Sequence, residues 1–177
     1  MSARASAAAL IVVVMAGLGC QRERPAPASQ PASAPAAPSP QPAQRGLAAD
    51  GQLQPSPADR CPVCAMRPAN HPKQAAGLTL EDGRTFYFCG NQCLLRAYQN
   101  PQRYLGVAAD AVERLSVLDY FSGQPIDGRT AFWIRGADVS GPMGPAVVPL
   151  SKASEVAPFR KRHGGEAPFQ LEPTDDR

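Results

Sequence analysis

The chain of 177 residues reads as an α+β protein. The expected form is two related small β-β-α(-β) units behind a disordered Pro/Ala-rich tether. Three features lead there. "DGRT" occurs twice, at 82–85 and 127–130, each time ahead of an aromatic β-prone run. Each half then closes on a helix-prone stretch. Finally, no Leu, Ile, Val or aromatic residue occurs from Gln21 to Gly46, so that stretch cannot bury enough apolar surface to offset its chain entropy.

The first twenty residues, "MSARASAAALIVVVMAGLGC", have a basic start at Arg4, an apolar run over 7–18 and small residues around Cys20. That is the layout of a secretory signal peptide. The run is shorter than the ~20 residues a spanning helix needs. "GLGC" resembles the bacterial lipobox, with Gly17 where leucine is usual and Leu18 one place later. The resemblance implies a signal peptide over 1–19 and lipidation of Cys20, against an ordinary cleaved signal as the alternative. Gln21 after that cysteine resembles an outer-membrane address. The expected location is therefore periplasmic and lipid-anchored, at the outer more than the inner membrane. Residues 20–57 are expected to form an extended tether at about 3.1 Å per residue, a reach on the order of 100 Å.

The folded head is expected over 58–172, with a cysteine-bearing half (58–110) and a second half (111–172). Its tail, "EPTDDR", reads as frayed. A formal charge of +3, carried by dispersed basic residues, gives no electrostatic case for nucleic acid. "GLTLE" and "RTFYF" are β-prone runs joined by Asp82-Gly83, a strong hairpin signal. "NQCLLRAYQ" reads as a short helix capped by Asn91 and ended at Asn100-Pro101. In the second half "ERLSVLDYFSG", "TAFWIRG" and "PAVVPLS" are strand candidates. Ser151 is the expected cap of a helix over "KASEVAPFRKRHGG", interrupted at Pro158, and "APFQL" is a candidate returning edge strand. Phe86, Phe88, Phe132 and Trp133 are the expected aromatic core.

Cys61, Cys64, Cys89 and Cys93 follow a C-x2-C-x24-C-x3-C spacing. Two close pairs separated by a hairpin form a strong metal-site pattern, because each pair sits on a tight turn that aims two sulfurs at one point. Cys93 opens a helix, whose N-terminus stabilises a thiolate. Three alternatives stand beside a copper site. An exported chain sees an oxidising compartment, where Cys61–Cys64 or Cys89–Cys93 can close as disulfides. "CPVC" is similar to the motif of thiol-disulfide oxidoreductases, although no strand leads into it here. A structural zinc finger is the third. Two methionines favour a softer ion: Met66, two residues after Cys64, and Met143, set in "SGPMGPA" with no helical stripe to make it core filler. Thiolate with thioether selects Cu(I), so Cu(I) and Zn(II) both remain open. His71 in "NHPK" is a possible additional ligand, and His163 in "RHGG" a structural helix-end residue. Asp119 and Tyr120 are candidates for orienting loops near the site.

"CPVCAM", the "DG" hairpin, "NPQRY", "LDYFSGQPIDGRTAFWIRGADVSGPMGPAVVPL" and "FRKRHGG" together resemble the NosL family over residues 59–165. That family comprises copper-binding lipoproteins that act as accessories of nitrous oxide reductase. The resemblance implies a membrane-anchored, periplasm-facing Cu(I) metallochaperone rather than an enzyme. Its copper ligands would be Cys64, Met66 and Met143. Its partners would be nitrous oxide reductase or another exported copper enzyme, and a membrane copper transporter. Ala65 stands where the family form has glycine. "FYFCGNQC" departs from the family's Asp-containing turn and resembles the TRASH or YHS cysteine finger. That departure implies an all-thiolate site of Cys61, Cys64, Cys89 and Cys93, holding copper, or holding zinc while copper uses the methionines. The competing class is a structural or sensory zinc-finger module that binds a partner protein.

Overall fold

The computed structural model describes residues 40–171. The expected signal peptide, Cys20, the tether up to residue 39 and the tail from residue 172 lie outside the described residues.

Strands β1 (Ala76–Leu80) and β2 (Thr85–Phe88) form the expected antiparallel hairpin, with Ala76 opposite Phe88 and Thr79 opposite Thr85. Gly83 takes the left-handed conformation the turn requires (φ 84°), and the Asp82 carboxylate accepts from Arg84 N–H. The chain enters helix α1 (Asn91–Gln99) almost at once. Gly90, not Asn91, occupies the capping position, and the Asn91 side chain donates instead to Val147 O (3.1 Å). Asn100 breaks the helix, and Pro101, which has no N–H to leave unpaired, starts a second short helix, α2 (Pro101–Leu105).

Strand β3 (Val112–Leu118) returns antiparallel to β1, and β4 (Pro125–Asp127) pairs with β3, so the main sheet runs β2-β1-β3-β4. The second "DGRT" does not close a hairpin. It turns the chain off the main sheet into β5 (Phe132–Ile134), which pairs with β8 (Val148–Leu150). Between them β6 (Ser140–Gly141) and β7 (Gly144–Pro145) form a small hairpin with Pro142 and Met143 at its tip. Helix α3 (Ala153–His163) follows. The class is thus α+β, and two β-β-α units are present, β1-β2-α1 and β5-β8-α3. Strands β3 and β4, assigned from sequence to the second half, belong to the first half's sheet. Pro158 does not interrupt α3, which is continuous across it. Lys152 rather than Ser151 is the capping residue, with Glu155 Oε2 accepting from Lys152 N–H and Ser151 Oγ (both 3.2 Å). "APFQL" does return: Phe169 bridges Trp133 in antiparallel sense.

The main core lies between the sheet and α1, where Leu78, Leu80, Phe86, Phe88, Leu94, Leu115, Val117 and Trp133 are all buried. Burial of such side chains is worth about 1.5–3 kcal/mol each. Ile134, Val148, Leu150 and Phe159 form a smaller core beneath α3. Phe132 is only partly buried at its edge.

Residues 40–57, expected as tether, lie against the main sheet. Ala43 N–H donates to Thr85 O (2.7 Å) on the edge strand. Tyr87 OH donates to Gly46 O and accepts from Gln54 N–H, and Ser116 Oγ donates to Gly51 O. The reason is local. The apolar-free stretch ends at Gly46, and Leu47 and Leu53 pack over Gly77, where a Cβ would lie 2.7 Å and 3.0 Å from their Cδ2 atoms. Among the described residues no helix is long and apolar enough to cross a membrane.

Candidate metal centre

The "CPVCAM" segment is a closed knuckle. Ala65 N–H donates to Cys61 O and Cys61 N–H donates to Met66 O, each at 2.8 Å. Closing it puts Ala65 at φ 60°, the only left-handed non-glycine among the described residues. No helix begins at "CPVC", which occupies a turn, so the strand-to-helix setting of a redox motif is absent. The second pair comes from the strand-to-helix junction: Cys89 follows β2, and Cys93 sits in the first turn of α1.

The four sulfurs converge. Cys64 Sγ lies 3.4 Å from Cys89 Sγ and 3.8 Å from Cys93 Sγ, and Cys89 and Cys93 are 3.7 Å apart. All four lie within 4.8 Å of one another. A tetrahedral ion with metal–sulfur bonds of ~2.3 Å has sulfur–sulfur edges of ~3.8 Å, so the donor set fits one ion. Burial is uneven: Cys61, Cys89 and Cys93 are buried, and Cys64 is half-buried. None is in a disulfide. The thiols share their charge. Hydrogen bonds from the Cys89 and Cys93 thiols hold Cys61 well below the ordinary thiol value, against the opposing effect of burial. The same contacts with Cys61 push Cys89 and Cys93 up. These opposed directions favour negative charge at Cys61 over Cys89 and Cys93, and thiols must shed their protons to serve as metal ligands.

Met66 is partly buried and packs against the core that contains Cys61, Cys89 and Cys93. Met143 is 41% exposed at the tip of the β6–β7 hairpin. A small cavity joins that tip to the cluster, lined among others by Gln74, Gly90, Asn91, Cys93 and Met143. The hairpin is held there by Gln74 Nε2 donating to Ser140 O (2.8 Å) and by Pro142 resting on Gly90. Asn91 Oδ1, buried at this junction, has no hydrogen-bond partner among the described residues. His71 ends the 3-10 turn Pro68–Asn70 and is not part of the four-thiol group. His163 lies on α3, with Nδ1 2.7 Å from Asp138 Oδ1 and Nε2 3.2 Å from Tyr120 OH. Asp119 is buried and ties two loops together, accepting from Ser122 N–H, Ser122 Oγ and Ser151 N–H.

Gly90 and Pro142, which set the approach of the methionine hairpin to the cluster, were not apparent from sequence. The available signal was a glycine directly after Cys89 at a helix start.

The fold and site define a small α+β head with two β-β-α units, in which the 61–66 knuckle and the strand-to-helix junction of the first unit bring together four thiols spaced to suit one metal ion. The chain belongs to the NosL family, whose model matches residues 52–172. Among solved structures it is similar to the copper chaperone NosL from Shewanella denitrificans, at 19% identity and a TM-score of 0.55 over 68% of this chain and 92% of that one. No curated protein sequence matches it.

Proposed function

We propose that this protein is a carrier of Cu(I) rather than an enzyme. In this reading it takes Cu(I) from a membrane copper transporter and delivers it to nitrous oxide reductase or a similar exported copper enzyme. A lipid on Cys20 would hold it at the periplasmic face of a membrane, the outer one in preference, and residues 21–39 would give the head its reach. The observation that carries the reading is the junction of two soft donor sets: four converging thiols and, across one small cavity from Cys93, the exposed thioether of Met143. Thiolates and thioethers prefer Cu(I) to harder ions. Transfer proceeds by ligand exchange, an incoming donor binding copper before the last outgoing ligand leaves. Cys64 and Met143 are the accessible donors, with Met66 beside the knuckle and His71 a further candidate. Cys61, Cys89 and Cys93 supply the buried side.

The test is anaerobic titration of the protein with Cu(I) and Zn(II), alone and in Met66→Ala and Met143→Ala. The expected result is one Cu(I) per chain, bound more weakly in both variants.

A second reading is favoured by the sulfur spacing itself, which suits a closed structural zinc cage. It makes the head a zinc-finger-like module for binding a partner protein, or leaves Zn(II) in the four thiols and Cu(I) at the methionines. If Cu(I) uptake ignores both methionines while Zn(II) stays in the four cysteines, the carrier reading gives way to the zinc module. A thiol-disulfide oxidoreductase would instead show disulfide reductase activity dependent on Cys61.

A further inference from the structure

The sequence spacing points to Cys61–Cys64 and Cys89–Cys93 as the bonds an oxidising compartment would close. The structure brings Cys64 up against the thiols of the other pair. Of its contacts within the cluster, Cys64 lies nearer Cys89 (3.4 Å) than Cys93 (3.8 Å), and it alone of the four is not buried. An oxidant from solvent therefore meets Cys64 first, and the sulfur best placed to complete the reaction is Cys89, across the two pairs. We propose that Cys64 is a redox modification site of this protein and that a Cys64–Cys89 disulfide is its product, formed when the centre carries no metal.

The approach to Cys64 suggests the class of oxidant. A groove of about 1110 Å³ runs along the knuckle, with Cys64 and Ala65 in its wall and Arg60, Arg103 and the buried Asp59 on its lining. Both arginines are exposed. Two exposed guanidiniums against one buried carboxylate leave this groove net positive, which suits a small peptide disulfide that carries carboxylates.

The exchange balances as follows. The Cys64 thiol gives up its proton and attacks one sulfur of the oxidant RS–SR. That S–S bond breaks, one RSH leaves, and Cys64 is held as a mixed disulfide. Cys89 sulfur then attacks Cys64 sulfur and expels the second RSH. Two protein thiols are oxidised to one disulfide, one external disulfide is reduced to two thiols, and the two thiol protons leave on the products. The bond removes two of the four thiol donors, so the oxidised head loses its four-sulfur site until it is reduced. This last consequence rests on the proposed metal-carrying function. The disulfide assignment does not.

The experiment uses the full chain with Cys20→Ser, so that only the clustered thiols are counted. It is stripped of metal under reducing conditions, exposed to glutathione disulfide, quenched in acid, alkylated and mapped by mass spectrometry. The expected result is loss of two of the four free thiols and recovery of a peptide pair joined through Cys64 and Cys89. In Cys89→Ser that bond cannot form, and glutathione on Cys64 or a bond to Cys93, the next sulfur at 3.8 Å, takes its place. The assignment is overturned if the joined cysteines are any pair other than Cys64 and Cys89, or if all four thiols survive an exposure that oxidises the same chain in urea. The unsubstituted map decides this even if Cys89→Ser fails to fold. A parallel arm loads the chain first with Cu(I) or Zn(II). Protection of all four thiols by Zn(II) but not by Cu(I) counts against the copper reading and leaves the Cys64–Cys89 assignment intact.

Discussion

Pro142 rests on Gly90: a Cβ built at Gly90 would lie 3.2 Å from Pro142 Cδ. This single contact joins the junction that carries Cys89 and Cys93 to the hairpin tip that carries Met143. Gly90 is in extended backbone (φ −174°), so alanine meets no backbone strain there. Gly90→Ala therefore acts through the contact. The short, exposed hairpin gives way, and the loss of stability, including glycine's advantage at a helix cap, is about 1 kcal/mol. Met143 moves away from the cavity it shares with Cys93, and with Met143 as a ligand in the proposed Cu(I) site the affinity falls several-fold, about 1 kcal/mol. Competition with a Cu(I) chelator, run beside thermal melting, separates the two effects. Unchanged Cu(I) affinity would mean that Met143 does not contribute a ligand.

Ala65→Gly should stabilise the protein. Ala65 is held at φ 60° by the two backbone hydrogen bonds that close the knuckle. A left-handed conformation costs a non-glycine residue about 1–2 kcal/mol, and part of that is offset by glycine's greater freedom in the unfolded chain. A gain of about 0.5–1 kcal/mol is expected, read as a higher urea midpoint at unchanged slope. An unchanged or lower midpoint would show that the knuckle is not under strain.

What could be read from the sequence was local. The Asp82-Gly83 hairpin and the two cysteine pairs are fixed by residues within a few positions of each other, and they appear where expected. Trp133, Phe86 and Phe88 are buried as their β-prone settings implied. The second "DGRT" misled because a turn signal does not specify which strand pairs with which. β5 finds β8 across the β6–β7 hairpin, and β3 finds β1 across both helices. Residues 40–57 were hidden because only Leu47 and Leu53 mark them as more than linker. The Gly90–Pro142 contact spans about fifty positions and leaves no periodic trace.

Asp119 gives a pH dependence of definite sign. Burial pushes its carboxyl up, but donation from Ser122 Oγ, Ser122 N–H and Ser151 N–H outweighs burial and holds it below the ordinary value of 3.8. A carboxyl lowered by folding adds stability that is fully present above its unfolded value and is lost as pH falls through the folded one. Asp119→Asn keeps the shape but turns an amide toward hydrogen-bond donors, at a cost of about 1–3 kcal/mol. The gap between the native protein and this variant should be constant above about pH 5 and narrow below about pH 4. Urea melts across that range measure it. A gap that is flat to pH 2 would mean that the carboxylate charge is not what binds the 119–123 loop to Ser151.

The position at which the head begins can be tested by shortening. A chain starting at residue 40 retains the segment that covers the main sheet. One starting at residue 58 exposes Gly77 and removes Leu47 and Leu53 from above it. It also takes away both hydrogen-bond partners of Tyr87 OH, the acceptor of Ser116 Oγ and the Ala43 bond that covers edge strand β2. Two partly buried leucines contribute about 1 kcal/mol each, and water replaces much of the lost hydrogen bonding. The shorter chain should therefore be less stable by about 2–4 kcal/mol, a large share of a small domain's total. The loss falls on the sheet and not on the thiols, so Zn(II) uptake by the four cysteines at low temperature should be the same for both chains. Equal urea midpoints would place the start of the head at residue 58, and would make the segment over β1 and β2 a resting place for the tether rather than part of the fold.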